Sequence, residues 1–156
     1  MVWTRVKIDQ GKISERLSRL LLNDAKRTQM LDQIGEASVR EIKMHFINQK
    51  SPEGVRWKVS KRAENDPSRP TMLHRLVLFN SITHKVSGGQ VSAGTDEIKA
   101  GTLNFGAKKG QYGAVKDTGQ PIPFGDIPAR KFIGVSSQNV VRVRDIVNSF
   151  LRRQSQ

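Results

Sequence analysis

The side chains best suited to acid–base or metal chemistry are His45, His74 and His84. The order His74, Asn80, His84 is one that a metal-dependent nuclease could use. Such an enzyme also needs paired metal ligands on a strand–helix scaffold. His84 instead alternates with Ile82 and Val86, on the apolar side of an expected strand, where a histidine with a structural partner is the better reading. The carboxylates are scattered. Glu64 and Asp66 lie in a proline-rich stretch, Asp96 and Glu97 follow a strand, and no cluster has metal-ligand spacing. Gly106, Gly110 and Gly113 do not make a phosphate loop, because no Gly-Lys-Ser/Thr step follows them. No Gly-x-Ser-x-Gly elbow occurs. The chain has no cysteine, which excludes disulfides and thiolate-bound metal and suits a reducing compartment. The expectation is a protein that is not an enzyme and carries no cofactor.

What remains is charge. Lys and Arg number 27 against 14 Asp and Glu, a formal net charge of +13. The excess is spread along the chain: +4 in residues 1–50, +3 in 51–100 and +6 in 101–156. A surface of this kind attracts polyanions or acidic protein partners. With 156 residues, one domain with its own core is expected over 1–156. No run approaches the ~18 apolar residues of a membrane span. The N-terminal "MVWTRVKIDQ" lacks the apolar core of a signal peptide, so no membrane partner is expected.

These residues must be held by a few elements. "KISERLSRLLL" (12–22) has helical spacing. From Asn23 or Asp24 to about Asn48, Leu31, Ile34, Ala37 or Ser38, Ile42 and Phe46 form one stripe of a long helix. Gly35 within it suits close approach of a neighbour. Ser51-Pro52 and Gly54 then make a turn before Trp57. Residues 61–72 carry two prolines and a run of charges, and read as a flexible loop or arm. The stretch 73–82 is apolar enough for a short helix or a buried strand, and periodicity does not separate the two. Residues 82–95 read as a hairpin turned at Ser87-Gly88-Gly89. Residues 101–126 hold six glycines, Pro121, Pro123, Lys108, Lys109 and Lys116, and read as a second flexible arm. A last helix is expected over 136–153, with Val140, Ile146 or Val147, and Phe150 or Leu151 on its apolar side. The fold class is α+β: a small antiparallel sheet, with the hairpin at its centre, packed against a long N-terminal helix and a C-terminal helix.

The order of landmarks is more telling than any one of them. "MHFINQ" closes the long helix at Phe46, and "SPEGVRW" follows. "LFNSI" leads into the hairpin and "VSAGTD" leaves it. "LNFG" stands at 103–106, and "IPARKFIGVS" at 127–136 precedes the final helix. In this order the chain resembles the virion morphogenesis, or tail-completion, family of contractile-tailed bacteriophages such as Mu and P2. The similarity runs over about 25–151. Lys131 stands where that family more often has a second proline. Leu103 and Asn104 stand where it often has a His-Gln pair.

The resemblance implies a structural protein that completes the tail end or joins tail to head, with no reaction and no cofactor. It implies copies of itself as partners, in a ring such as a hexamer, together with tail-tube or neck and connector proteins and packaged DNA. It places the protein in the virion tail or neck, and in the host cytoplasm during assembly. On this reading Phe46, Trp57, Pro128, Phe132 and Gly134 are structural anchors. Arg130, Lys131, Lys108, Lys109 and Lys116 are the expected contacts to a neighbouring subunit or to DNA. A capsid or neck morphogenesis factor and a basic nucleic-acid-binding module stay open as alternatives, with the nuclease behind them.

Overall fold

The computed structural model describes residues 2–6, 24–73 and 76–154. In chain order the elements are strand β1 (Val2–Val6), helix α1 (Asp24–Asn48), short helices α2 (Lys61–Asn65) and α3 (Val77–Ser81), strands β2 (Thr83–Ser87) and β3 (Gln90–Thr95), short helix α4 (Ala100–Phe105) and helix α5 (Ser137–Gln154). The antiparallel sheet has the order β1-β3-β2, with Val2 opposite Thr95 and Thr83 opposite Gly94. The α+β architecture is as expected, with a long helix and a C-terminal helix beside a hairpin sheet. β1 has no counterpart in the sequence reading, and it makes β3 the central strand. The helix expected over 12–22, and His74, lie outside the described residues.

Helix α1 organises two cores. Its residues Ile42 and Phe46 join Trp57, Leu78, Ile82, Ala93, Ala100, Phe132 and Ile133 in one apolar cluster. About two to four turns earlier, Met30, Leu31 and Ile34 join Val91, Val147 and Phe150 in another. A helix with buried residues on two sides does this because it lies between the sheet and α5. The expected close approach at Gly35 is real. A Cβ there would sit 2.3 Å from Cδ2 of His84, so only a residue without a side chain lets β2 lie this near. His84 Nε2 in turn lies 2.7 Å from Asp32 Oδ1, a structural partner of the kind expected.

The helix stops in a defined way. Gln49 takes a left-handed φ of 54°, Gln49 N–H bonds Phe46 O, and Lys50 N–H returns to His45 O. This is the double bond pattern of a Schellman end. The Gln49 side-chain amide donates to Thr71 O, which fastens the helix end to the 60–72 segment. That segment is folded rather than a bare loop. Ser60 Oγ caps α2 at Ala63 N–H, and the Arg62 guanidinium holds the carbonyls of Arg69 and Pro70. In the hairpin, Gly88 and Gly89 both have positive φ, 57° and 73°, as a tight two-residue turn requires.

Helix α5 corrects one expectation. Val140 does not face inward; it is 56% exposed. Asn139 takes the inward position beside the Ser136 cap, and Val147 and Phe150 supply the buried apolar contacts. The stretch that periodicity left ambiguous, 73–82, contains the single helical turn of α3.

Trp57 stands edge-on to Phe46 at 5.5 Å between ring centres, and its Nε1–H donates to Lys131 O at 2.9 Å. Trp57→Ala removes the ring from the core and leaves that carbonyl without its donor. The expected loss is about 3–5 kcal/mol, read as a lower midpoint in urea unfolding. An unchanged midpoint would show that the indole contributes nothing to the core.

Candidate functional site

The segment 127–136 meets the body through its main chain. Phe132 is fully buried and Ile133 is 9% exposed, so their peptide groups enter the core with them. Among the described residues no strand lies alongside, and buried N–H and C=O groups left unpaired are costly. Side chains and loop atoms replace the missing strand. Asn104 Oδ1 accepts both Phe132 N–H at 3.0 Å and Ile133 N–H at 3.1 Å. His45 Nδ1 donates to Phe132 O at 2.9 Å, Trp57 Nε1 to Lys131 O, and Arg130 N–H to Leu103 O. Gly134 lies against Pro52, where a Cβ would come within 2.7 Å of Cγ. Gly106, at φ 78°, lets residues 127–129 cross within 2.8–2.9 Å of where its Cβ would be. Pro128, an expected anchor, is half-buried there.

Arg130 and Lys131 part company. Lys131 is exposed, with Nζ 3.6 Å from Glu53 Oε1. The carboxyl of Glu53 is held below its ordinary range first by the Ser51 hydroxyl, then by its own N–H, with Lys131 adding to this. Arg130, expected to face a partner, is instead 7% exposed, and its Nε donates to Lys58 O at 2.9 Å. Burial pushes its guanidinium below the usual arginine value. The chain alternates direction, and the basic residue beside Phe132 faces outward while the one before it is drawn in.

A second buried polar group escaped the sequence reading. Glu41 sits on α1 one turn before His45. It accepts from Ser136 Oγ at 2.8 Å and from Arg142 Nη1 at 3.1 Å, and His45 Nε2 lies 3.7 Å away. Ser136 Oγ also caps α5 at Asn139 N–H. One carboxylate thus fixes the start of α5 against α1. A glutamate on the edge of an apolar stripe, four residues from a histidine, was the only signal. The Glu-His-Ser set has no nucleophilic geometry, because the serine hydroxyl is bonded to the carboxylate and not to the imidazole.

The glycine-rich stretch leaves α4 and folds into an arm. Its two legs meet at the Ala107–Ile127 bridge, and a second bridge joins Ala114 to Pro121. Between them Gly110 N–H bonds Pro123 O, Tyr112 N–H bonds Ile122 O, and Ile122 N–H bonds Gly113 O. The expected flexible loop therefore has its own ladder. Lys108, Lys109 and Lys116 are all exposed on it. Asp126 closes the base: it accepts Lys109 N–H at 2.8 Å, and its second oxygen is 3.7 Å from Lys108 Nζ. That backbone bond, followed by the Lys108 charge, holds Asp126 below the ordinary aspartate range. Among the described residues no group of three or more His, Asp or Glu is placed to hold a metal ion. No described helix is long and apolar enough to cross a membrane.

Comparison with protein families matches residues 8–152 to the phage virion morphogenesis family. No curated protein and no solved structure gives a significant match.

Outcomes are expected at four residues of this geometry. Asn104→Ala leaves two buried N–H groups without an acceptor and should cost about 2–6 kcal/mol, at about 1–3 kcal/mol for each; denaturant unfolding measures it. Arg130→Ala should cost about 2–3 kcal/mol through its lost charged hydrogen bond and packing. Lys131→Ala should stay within about 0.5 kcal/mol. Equal effects at the two positions would contradict the inward turn of Arg130. Because the folded-state value of Asp126 is depressed, its hold on the arm is present at neutral pH. It is lost as pH falls below the ordinary aspartate value of about 4. Hydrogen-exchange protection of the Lys109 amide should drop on acidification, and Asp126→Asn should remove most of that pH dependence.

Proposed function

The chain belongs to the phage virion morphogenesis family, and on that premise we propose that it completes the tail end or joins tail to head as a subunit of a ring. Membership over residues 8–152 is the observation that carries the reading, because it ties nearly the whole chain to virion assembly. The physical features agree with a structural role. The buried polar groups of Asn104, His45, Trp57 and Glu41 are spent on holding segments together. The exposed features are an arm, a lysine beside a buried turn, and a basic surface. A ring subunit must show two different complementary faces, and Lys131 with the arm lysines Lys108, Lys109 and Lys116 would lie on such faces. Arg130 belongs to the framework behind them. Copies of itself in a ring such as a hexamer, tail-tube or neck proteins, and packaged DNA are the partners this role calls for. The protein would assemble in the host cytoplasm and remain in the virion.

The net charge of +13 also supports a second reading, a nucleic-acid-binding module. The two are separated by electron microscopy of a phage stock lacking the protein. Heads and tails are expected to be present and unjoined, with infectivity restored by adding purified protein. Joined, infectious particles in its absence would overturn the assembly reading. Salt-dependent binding to free duplex without any such defect would favour the module.

A further inference from the structure

Lys50 and Arg56 face each other across an isolated antiparallel bridge. The bonds that close it run from Ser51 N–H to Val55 O and from Trp57 N–H to Gln49 O, one residue to either side of the pair. A pair of this kind shares no bond of its own and brings its side chains closest, with α-carbons about 4.5 Å apart. Two cations are therefore set side by side, which disfavours the fold when nothing neutralises them. Lys58 adds a third. Trp57 is buried while Arg56 and Lys58 are exposed, the alternation of an extended chain, so those two share its outer side. Among the described residues, none of the three cations has a carboxylate within ion-pair distance. The frame beneath them is fixed: the Trp57 indole donates to Lys131 O, and Lys58 O accepts from Arg130 Nε. Uncharged polar residues would serve the bridge as well and avoid the repulsion.

We propose that Lys50, Arg56 and Lys58 form a phosphate-binding surface for a nucleic-acid backbone; that the nucleic acid is packaged DNA rests on the assembly reading above. An anion seated between Lys50 and Arg56 turns their repulsion into a shared attraction. Lys58 stands two residues of extended chain beyond Arg56, about 6.5 Å on. The matching anion therefore repeats along a line, as backbone phosphates do. A second copy of the chain fits less well, because many of its exposed carboxylates already have cations of their own. Asp24 has Arg27, Asp66 has Arg69, Asp96 has Lys85 and Asp126 has Lys108. An acidic protein fits less well because protein interfaces are built on aromatic anchors and are poor in lysine. The aromatic of this stretch, Trp57, is turned into the core. Phosphate contacts carry no base information, so binding is indifferent to sequence.

The test measures binding of the full-length protein to duplex DNA of mixed sequence over a range of salt. Wild-type protein should bind at low salt and lose affinity steeply as salt rises. Arg56→Gln with Lys58→Gln should weaken binding by about tenfold or more at low salt, and lower the slope of log K against log salt by about two. Arg27→Gln with Lys85→Gln removes the same net charge from cations paired with Asp24 and Asp96, and should weaken binding by less than about threefold. Lys50→Glu sets a carboxylate opposite Arg56, so the melting midpoint should hold or rise while affinity for the duplex falls about tenfold or more. Should the first pair fail to fold, Lys50→Glu decides alone. Wild-type protein that does not bind duplex, or a folded Arg56/Lys58 variant that binds like wild type, would overturn the site. So would an equal loss in the Arg27/Lys85 variant, because net charge and not this surface would then be responsible. Poly-glutamate bound as tightly as duplex, and lost in the same variant, would overturn it in favour of an acidic protein. Self-association abolished by that variant would overturn it in favour of a second copy. These outcomes leave the assembly reading standing, since that reading is decided on particles lacking the protein.

Discussion

Residues 130–133 carry a backbone into the core with no strand among the described residues to pair with it, and much of the structure exists to satisfy that backbone. Asn104 supplies the acceptor for two consecutive N–H groups. His45 and Trp57 supply donors for two consecutive carbonyls. Those three residues come from α4, α1 and the turn after α1. Each must be in place for the others to be worth burying, because an unpaired group in this setting costs more than a made bond returns. This explains why the aromatic cluster forms where it does. Phe46 touches Trp57, Phe79 and Phe132 at ring-centre distances of 5.5, 5.9 and 5.0 Å, and so packs the space behind the polar contacts.

The parts of this arrangement that were legible in the sequence are those with periodicity or punctuation. The long helix showed through its stripe from Leu31 to Phe46, and its end through Ser51-Pro52. The hairpin showed through Gly88-Gly89. Burial of Phe46, Trp57 and Phe132 followed from their size. What could not be read was decided by contacts distant in the chain. β1 has five residues and its partner lies about ninety residues away, so it carries too little pattern to declare itself. Asn104 and Glu41 are polar residues whose importance comes only from what faces them. Arg130 looked like a surface residue because arginine usually is; the carbonyl of Lys58, seventy-two residues upstream, draws it inward. Val140 looked apolar and therefore inward, and the helix cap gave that place to Asn139.

The arm shows a related division of labour. Its base is tied by Ala107, Ile127 and Asp126, and its tip has only local turns. Lysines and aromatics can therefore vary along it with little effect on the core, while Gly106 and the 127–129 crossing cannot. The candidate site is in this sense two layers: a fixed frame that the core demands, and an outer surface whose chemistry is free to suit its partner.

The way the frame is fastened has a mechanical meaning. Arg130, Lys131, Phe132 and Ile133 are held by bonds to Leu103, Lys58, Trp57, His45 and Asn104, on chain segments far apart in sequence. A pull on the arm reaches these bonds together, since both of its legs lead back to them: one through Gly106 to Asn104, the other through Ile127 to Arg130. Bonds loaded side by side share a force, whereas bonds loaded one after another open like a zipper. The 127–136 segment is thus built as a shear joint, in which a load on the arm would be shared by several bonds instead of opening them in turn.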